Sequence, residues 1–137
     1  MIRSKRQADT PLRPVTFAAA DSIGAFELAQ LWSDRTAWPI DDRTAYDELA
    51  ELATMSALAT WLLRWEPIAI HGAMLAGARP EAVAGALGDS VQVAYERWRE
   101  WAEAERDFIV EGQPGITADE FEAVERRFAA AGMVSAG

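Results

Sequence analysis

Apolar residues in this chain recur at helical spacing, and proline and glycine cut the recurrences into segments. Phe26, Leu28, Leu31 and Trp32 mark a first helix over about 21–32, with Asp21 or Ser22 as its cap. Residues 33–41, holding Trp38-Pro39, read as a loop. Leu49, Leu52, Leu58, Leu62 and Trp65 lie mostly three and four apart and predict a helix over about 42–65, capped by Asp41 or Asp42. Its acidic first turns and Arg64 in the last turn suit the helix dipole. Pro67 is expected to end that helix and start another, running to about Ala76 and closed by Gly77. A short helix at 80–87 and a longer one at 91–110 follow, the second ended by Gly112. Gln113-Pro114-Gly115-Ile116 has the form of a type II turn. Thr117 with Glu120 is a capping-box signature for a last helix over about 118–131, with Phe121, Val124 and Phe128 on its core face. No strand pattern or repeat stands out. The pattern predicts an all-α chain: five to six helices around one core, containing a trihelical helix-turn-helix unit.

The break between the helices at 80–87 and 91–110 carries the functional signal. Pro80 suits a first helical position, and Val83, Ala84 and Leu87 make one apolar face. Gly88 can take a left-handed turn, and Ser90 can cap the next helix. Val91, Ala94, Trp98 and Trp101 then form a buried stripe. Small residues at 84 and 88 permit the close, steep crossing that a DNA-reading helix-turn-helix requires. That stripe leaves Gln92, Tyr95, Glu96 and Arg99 outward, with Ser90 at the helix start and Arg79 in the preceding turn; Arg97 would join Arg79 and Arg99 on a positive face. Gln92 suits adenine edges, Arg99 guanine or a phosphate, and Ser90 and Tyr95 phosphate. Arg79, Ser90, Gln92, Tyr95, Arg97 and Arg99 are the candidate contacts to double-stranded DNA.

Charge argues in the other direction. The chain carries a net charge of −9, yet residues 1–14 hold Arg3, Lys5, Arg6 and Arg13 against Asp9, leaving the other 123 residues at −12. Across residues 80–111, eight carboxylates face only Arg97, Arg99 and Arg106, a local charge of −5. An acidic surface works against approach to a polyanion, whereas DNA-binding domains usually carry a basic face. The expected layout is a disordered basic tail at 1–14 and a helical segment and loop at 15–41. A helix-turn-helix domain at 42–131 and a flexible tail at 132–137 complete it. Half of the residues are apolar, enough for a core, and no run reaches membrane-spanning length. The absence of cysteine excludes disulfides and thiolate metal sites, and a cytoplasmic location is expected.

Enzymatic chemistry finds little support. His71 is the only histidine, no HExxH pair or GxSxG elbow exists, and no glycine loop for phosphate is present. His71 reads as a packing or surface residue. Asp119, Glu120, Glu122 and Glu125 read as dipole-favoured groups near a helix start. No cofactor is expected, and the chain is not expected to be an enzyme. Trp61, Trp65, Trp98 and Trp101 are expected to form one aromatic core between the long helix and the reading helix. Trp32 and Trp38 are free for a homodimer interface over about 21–40.

The stretch from Trp61 to Ala102, with its VAGALG, its Ser90 cap and its Val91–Ala94–Trp98 stripe, resembles the helix-turn-helix of sigma-region-4-like bacterial regulators. The block from about 45 to 131 also looks like small uncharacterised actinobacterial helical proteins. The resemblance implies a trihelical core and a role as a transcriptional regulator or mobile-element maintenance factor. Two readings stand. One is a dimeric, sequence-specific DNA-binding protein. The other is an acidic protein-interaction module (antitoxin, adaptor or DNA mimic) that reuses the scaffold to bind a basic protein partner.

Overall fold

A computed structural model describes residues 13–37 and 43–132. Among these, six α-helices and one two-stranded hairpin are present: α1 (Phe17–Asp21), α2 (Ala25–Ser33), a 3-10 turn (Asp34–Ala37), α3 (Ala45–Leu75), α4 (Pro80–Leu87), α5 (Val91–Asp107), β1 (Ile109–Val110), β2 (Gln113–Pro114) and α6 (Ala118–Ala130). The class is all-α, as the periodicity predicts. The chain divides into two compact units, residues 1–63 and 64–137, and the division falls inside α3.

In the first unit, Thr16 caps α1 by accepting from the Ala19 N–H at 3.1 Å. The first predicted helix therefore starts earlier and is interrupted: Gly24, at φ 98°, sits between α1 and α2. Its left-handed backbone suits glycine and ends the helical run. The predicted caps Asp41 and Asp42 lie outside the described residues. The start of α3 is held instead by a reciprocal box in which Asp47 N–H donates to Thr44 Oγ1 at 3.3 Å and Thr44 N–H donates to Asp47 Oδ2 at 3.1 Å. These bonds, led by that from the Thr44 backbone and helped by the Arg13 guanidinium, hold the Asp47 carboxyl below its ordinary value. Ala20, Leu28, Ala53 and Ala57 form the core, with Ile23, Leu58 and Trp61 packed on it. Trp61 Nε1–H donates to the Asp21 carbonyl at 3.3 Å.

Pro67 does not end the helix. It sits inside α3, which runs on to Leu75. Proline's fixed φ is compatible with a helix, and the cost is the missing N–H that would bond the carbonyl four residues back, at Leu63. Continuity through Pro67 changes which residues face the second core. Ile70, His71 and Met74, one turn apart, supply that face of α3, packing with Val83, Ala94, Tyr95, Trp98, Ala102, Ile116, Phe121, Val124 and Phe128. The expected four-tryptophan core is therefore corrected. Trp98 is fully buried and Trp101 lies against the same cluster, but Trp61 belongs to the first unit and Trp65 is 36% exposed.

Candidate nucleic-acid interface

The turn between α4 and α5 is built as its sequence predicts. Pro80 opens α4, and Gly88 adopts a left-handed conformation at φ 71°, ψ 32°. The Asp89 N–H then reaches back to the Ala84 carbonyl at 3.1 Å, closing the helix end. Ser90 caps α5, its hydroxyl accepting from the Val93 N–H at 3.1 Å. Val83 and Ala84 of α4 and Ala94 and Trp98 of α5 are buried in the common core. The 17-residue α5 thus follows the short α4 across a tight turn, the connection a groove-reading unit would need.

The side chains on that helix are otherwise engaged. Tyr95, predicted to point outward, is only 2% exposed, which corrects its assignment as a phosphate contact. The buried stripe of α5 is wider than the predicted one: Val91, Ala94, Tyr95, Trp98 and Ala102 follow the broad apolar face of a core helix. The Tyr95 ring meets Phe128 edge-on at 5.3 Å between centroids, and its hydroxyl donates to Glu125 Oε1 at 2.9 Å. Burial, joined by the bond to Glu125, pushes the Tyr95 hydroxyl above its ordinary pKa.

Arg99 completes this cluster. Its Nη1 donates to Tyr95 Oη at 3.0 Å and to Glu125 Oε1 at 2.8 Å, while Nε pairs with Glu103 at 2.5 Å. Desolvation opposes the Arg99 charge, but Tyr95 and Glu125 more than offset it. Arg97 pairs with Glu66 at 2.7 Å and Asp89 at 3.6 Å. Gln92 donates to Glu96 at 2.7 Å. Ser90 is exposed, but its hydroxyl is occupied as the cap, and its N–H donates to Asp89 Oδ1 at 2.9 Å. Arg79, largely exposed at the start of α4, lies 3.8 Å from Glu81. The structure thus gives each candidate arginine a carboxylate neighbour in its own chain.

Two features escaped the sequence pattern. Helix α5 ends at Asp107, not near Val110, and Ile109–Val110 pair antiparallel with Gln113–Pro114 in a small hairpin. Its two-residue loop has positive φ at both Glu111 (54°) and Gly112 (79°). That is the geometry of a type I′ hairpin turn, in which asparagine or aspartate usually precedes the glycine. Glutamate in that place hid the signal. The hairpin directly follows α5, and its tip carries the acidic Glu111.

The second feature centres on His71, which is 6% exposed. Its Nδ1 accepts from Trp98 Nε1–H at 3.0 Å, and its Nε2 lies 3.2 Å from Glu120 Oε2. The bond to His71, with the Thr117 backbone N–H, holds the Glu120 carboxyl below its ordinary value. Glu120 also closes the predicted capping box of α6 with Thr117. Among the described residues, no cluster of three or more histidine, aspartate or glutamate side chains is arranged to hold a metal, and no helix is long and apolar enough to cross a membrane.

Comparison with known proteins finds no matching family model, no matching curated protein and no matching solved structure.

Proposed function

We propose that this chain is a protein-interaction module that keeps a helix-turn-helix scaffold and offers its acidic surface to a basic protein partner. The observation that carries this reading is the internal neutralisation of the reading helix. Arg97 and Arg99 are both held by carboxylates of the same unit, and Tyr95 is withdrawn into the core. Freeing either arginine for a phosphate would leave Glu66, Asp89, Glu103 or Glu125 facing a polyanion. Asp89, Glu96 and Glu100 remain on the exposed surface of the turn and α5. Long-range attraction from this surface favours a cationic partner.

The DNA-binding reading keeps one specific support, the Gly88 turn with its Ser90 cap and the exposed Gln92 near the start of α5. Fluorescence anisotropy at low ionic strength separates the two. The protein is expected to bind an arginine-rich peptide with an affinity that falls as salt rises, and to leave duplex DNA of mixed sequence unbound. Glu96→Gln with Glu100→Gln should weaken the peptide complex. Duplex binding at low salt, weakened by Arg97→Ala or Gln92→Ala, would replace this proposal with the DNA-binding one.

A further inference from the structure

We infer that the exposed apolar stripe of α3 is a self-association surface, on which a second copy of this chain packs its own α3 in antiparallel. The proposal does not depend on which macromolecule the second unit binds. Helix α3 buries Ala50, Ala53, Thr54 and Ala57 in the first unit, yet its other side is also apolar. Leu49, Leu52, Met55, Leu62 and Leu63 there are between 46% and 62% exposed. A helix apolar all round belongs in a core, and one side of this core is missing.

The stripe has the form of a coiled-coil seam. Leu49, Leu52, Ser56, Ala59 and Leu63 recur at spacings of three, four, three and four. Met55, Leu58, Ala59 and Leu62 stand at i, i+3, i+4 and i+7, the four corners of a knobs-into-holes socket. They line an open, shallow hollow of about 280 Å³, with Trp32 as a side wall. Arg35 stacks on Trp32 at 3.6 Å and its Nη1 bonds the Trp32 carbonyl, which holds that wall in place.

An antiparallel copy fills this hollow from the same sequence. When Leu52 of one chain enters the socket over Ala59 of the other, Leu49 falls opposite Leu62 and Met55 opposite Ser56. Leu52 and Met55 then meet the small Ala59 and Ser56, Leu49 meets Leu62 as an apolar pair, and both sockets fill by symmetry, as an isologous contact requires. Charge selects the occupant. The exposed positions 49, 52, 55, 56, 59, 62 and 63 hold no charged residue. A cationic or anionic ligand finds nothing to pair with there, whereas two copies meeting along the strip bring no like charges into contact, which limits the repulsion expected between chains of net charge −9. The five large side chains leave on the order of 500 Å² exposed per chain, so pairing can remove up to about 1,000 Å² in total, at the threshold for a specific interface. The homodimer contact expected around Trp32 and Trp38 therefore moves onto α3, keeping Trp32 as its flank; Trp38 lies outside the described residues.

The chain has no cysteine, so cross-linking reports the register cleanly. Sedimentation of the full chain at micromolar concentration should give twice the chain mass, and Leu52→Glu should give a monomer of unchanged helical circular dichroism. Oxidising an equimolar mixture of Leu52→Cys and Ala59→Cys chains should yield the mixed dimer in several-fold excess over either like pair, because like pairs stand about 10 Å apart along the seam. The cross-link also decides the matter if Leu52→Glu fails to fold. A monomeric wild-type chain, a dimer that survives Leu52→Glu, or cross-linking without preference for the mixed pair would each overturn the proposal.

Discussion

An indole N–H can only donate, so the 3.0 Å bond from Trp98 makes His71 Nδ1 the acceptor and places the ring proton on Nε2, facing Glu120. The sole histidine is thus fixed in one tautomer between a core tryptophan and the capping residue of α6. Glu120 is held below its ordinary value of 4.5 by that bond and by Thr117. A carboxyl with a lowered folded-state pKa contributes stability above its unfolded value and loses it as pH falls through the folded value. Glu120→Gln should therefore lower the melting temperature at neutral pH, with the difference from wild type shrinking below about pH 4.5. Thermal melts from pH 7 to pH 3 test this, and a difference constant with pH would show that the carboxylate is not the source. Trp98 itself has no exposed surface and stacks among His71, Tyr95, Phe121 and Phe128. Its replacement by alanine should cost about 3–5 kcal/mol in denaturant unfolding, and a loss under about 1 kcal/mol would contradict the packing described. The burial of Trp98 was legible from its spacing with Val91 and Ala94. The partner of its N–H was not, because His71 lies 27 residues away and no local pattern links the two.

Helix starts with side-chain caps were readable around the helix-turn-helix break and the last helix, but the local Thr16 cap and Thr44–Asp47 box were masked by the acidic residues near them. Ser90 and Thr117 cap α5 and α6 as their sequences predict, and the Gly88 turn takes the left-handed form. Helix ends were less readable. Pro67 signals a stop by its lost N–H, yet packing of Ile70 and Met74 in the second core outweighs one missing hydrogen bond. At the far end of α3, three carbonyls are taken up by Arg127, which donates to Met74, Gly77 and Ala78 from 49 or more residues away. No local pattern announces such a cap. Ser90→Ala should cost about 1 kcal/mol, through loss of the bond to the Val93 N–H at the start of α5. Because Ser90 is exposed and the turn geometry comes from Gly88, the variant should keep its fold. Chemical denaturation with an unchanged slope would support that assignment, and no measurable loss would place the helix-start stability elsewhere.

At the scale of the whole chain, charge was legible from composition but its arrangement was not. The sequence shows Arg79, Arg97 and Arg99 at or near α5; only the fold shows Glu66 and Glu125, from α3 and α6, arriving to pair with two of them. That arrangement turns the sign of a simple truncation into a test of function. Residues 1–12 hold Arg3, Lys5 and Arg6 against Asp9, so removing them takes the net charge from −9 to −11. Arg13 stays, because it pairs with Asp47 at the start of α3. For a module that attracts a basic partner, the tail's cations are competitors, and their removal should strengthen low-salt binding of an arginine-rich peptide up to a few-fold. For a DNA-binding protein the same cations would contact phosphates, and their removal should weaken duplex binding and flatten its salt dependence. The two readings therefore predict changes of opposite sign in their respective assays. Titrating both probes against the full chain and the truncated one, across a salt series, reads that sign directly. Weaker peptide binding after truncation would mean that the tail itself grips the partner, and the acidic surface of the second unit would lose its proposed role.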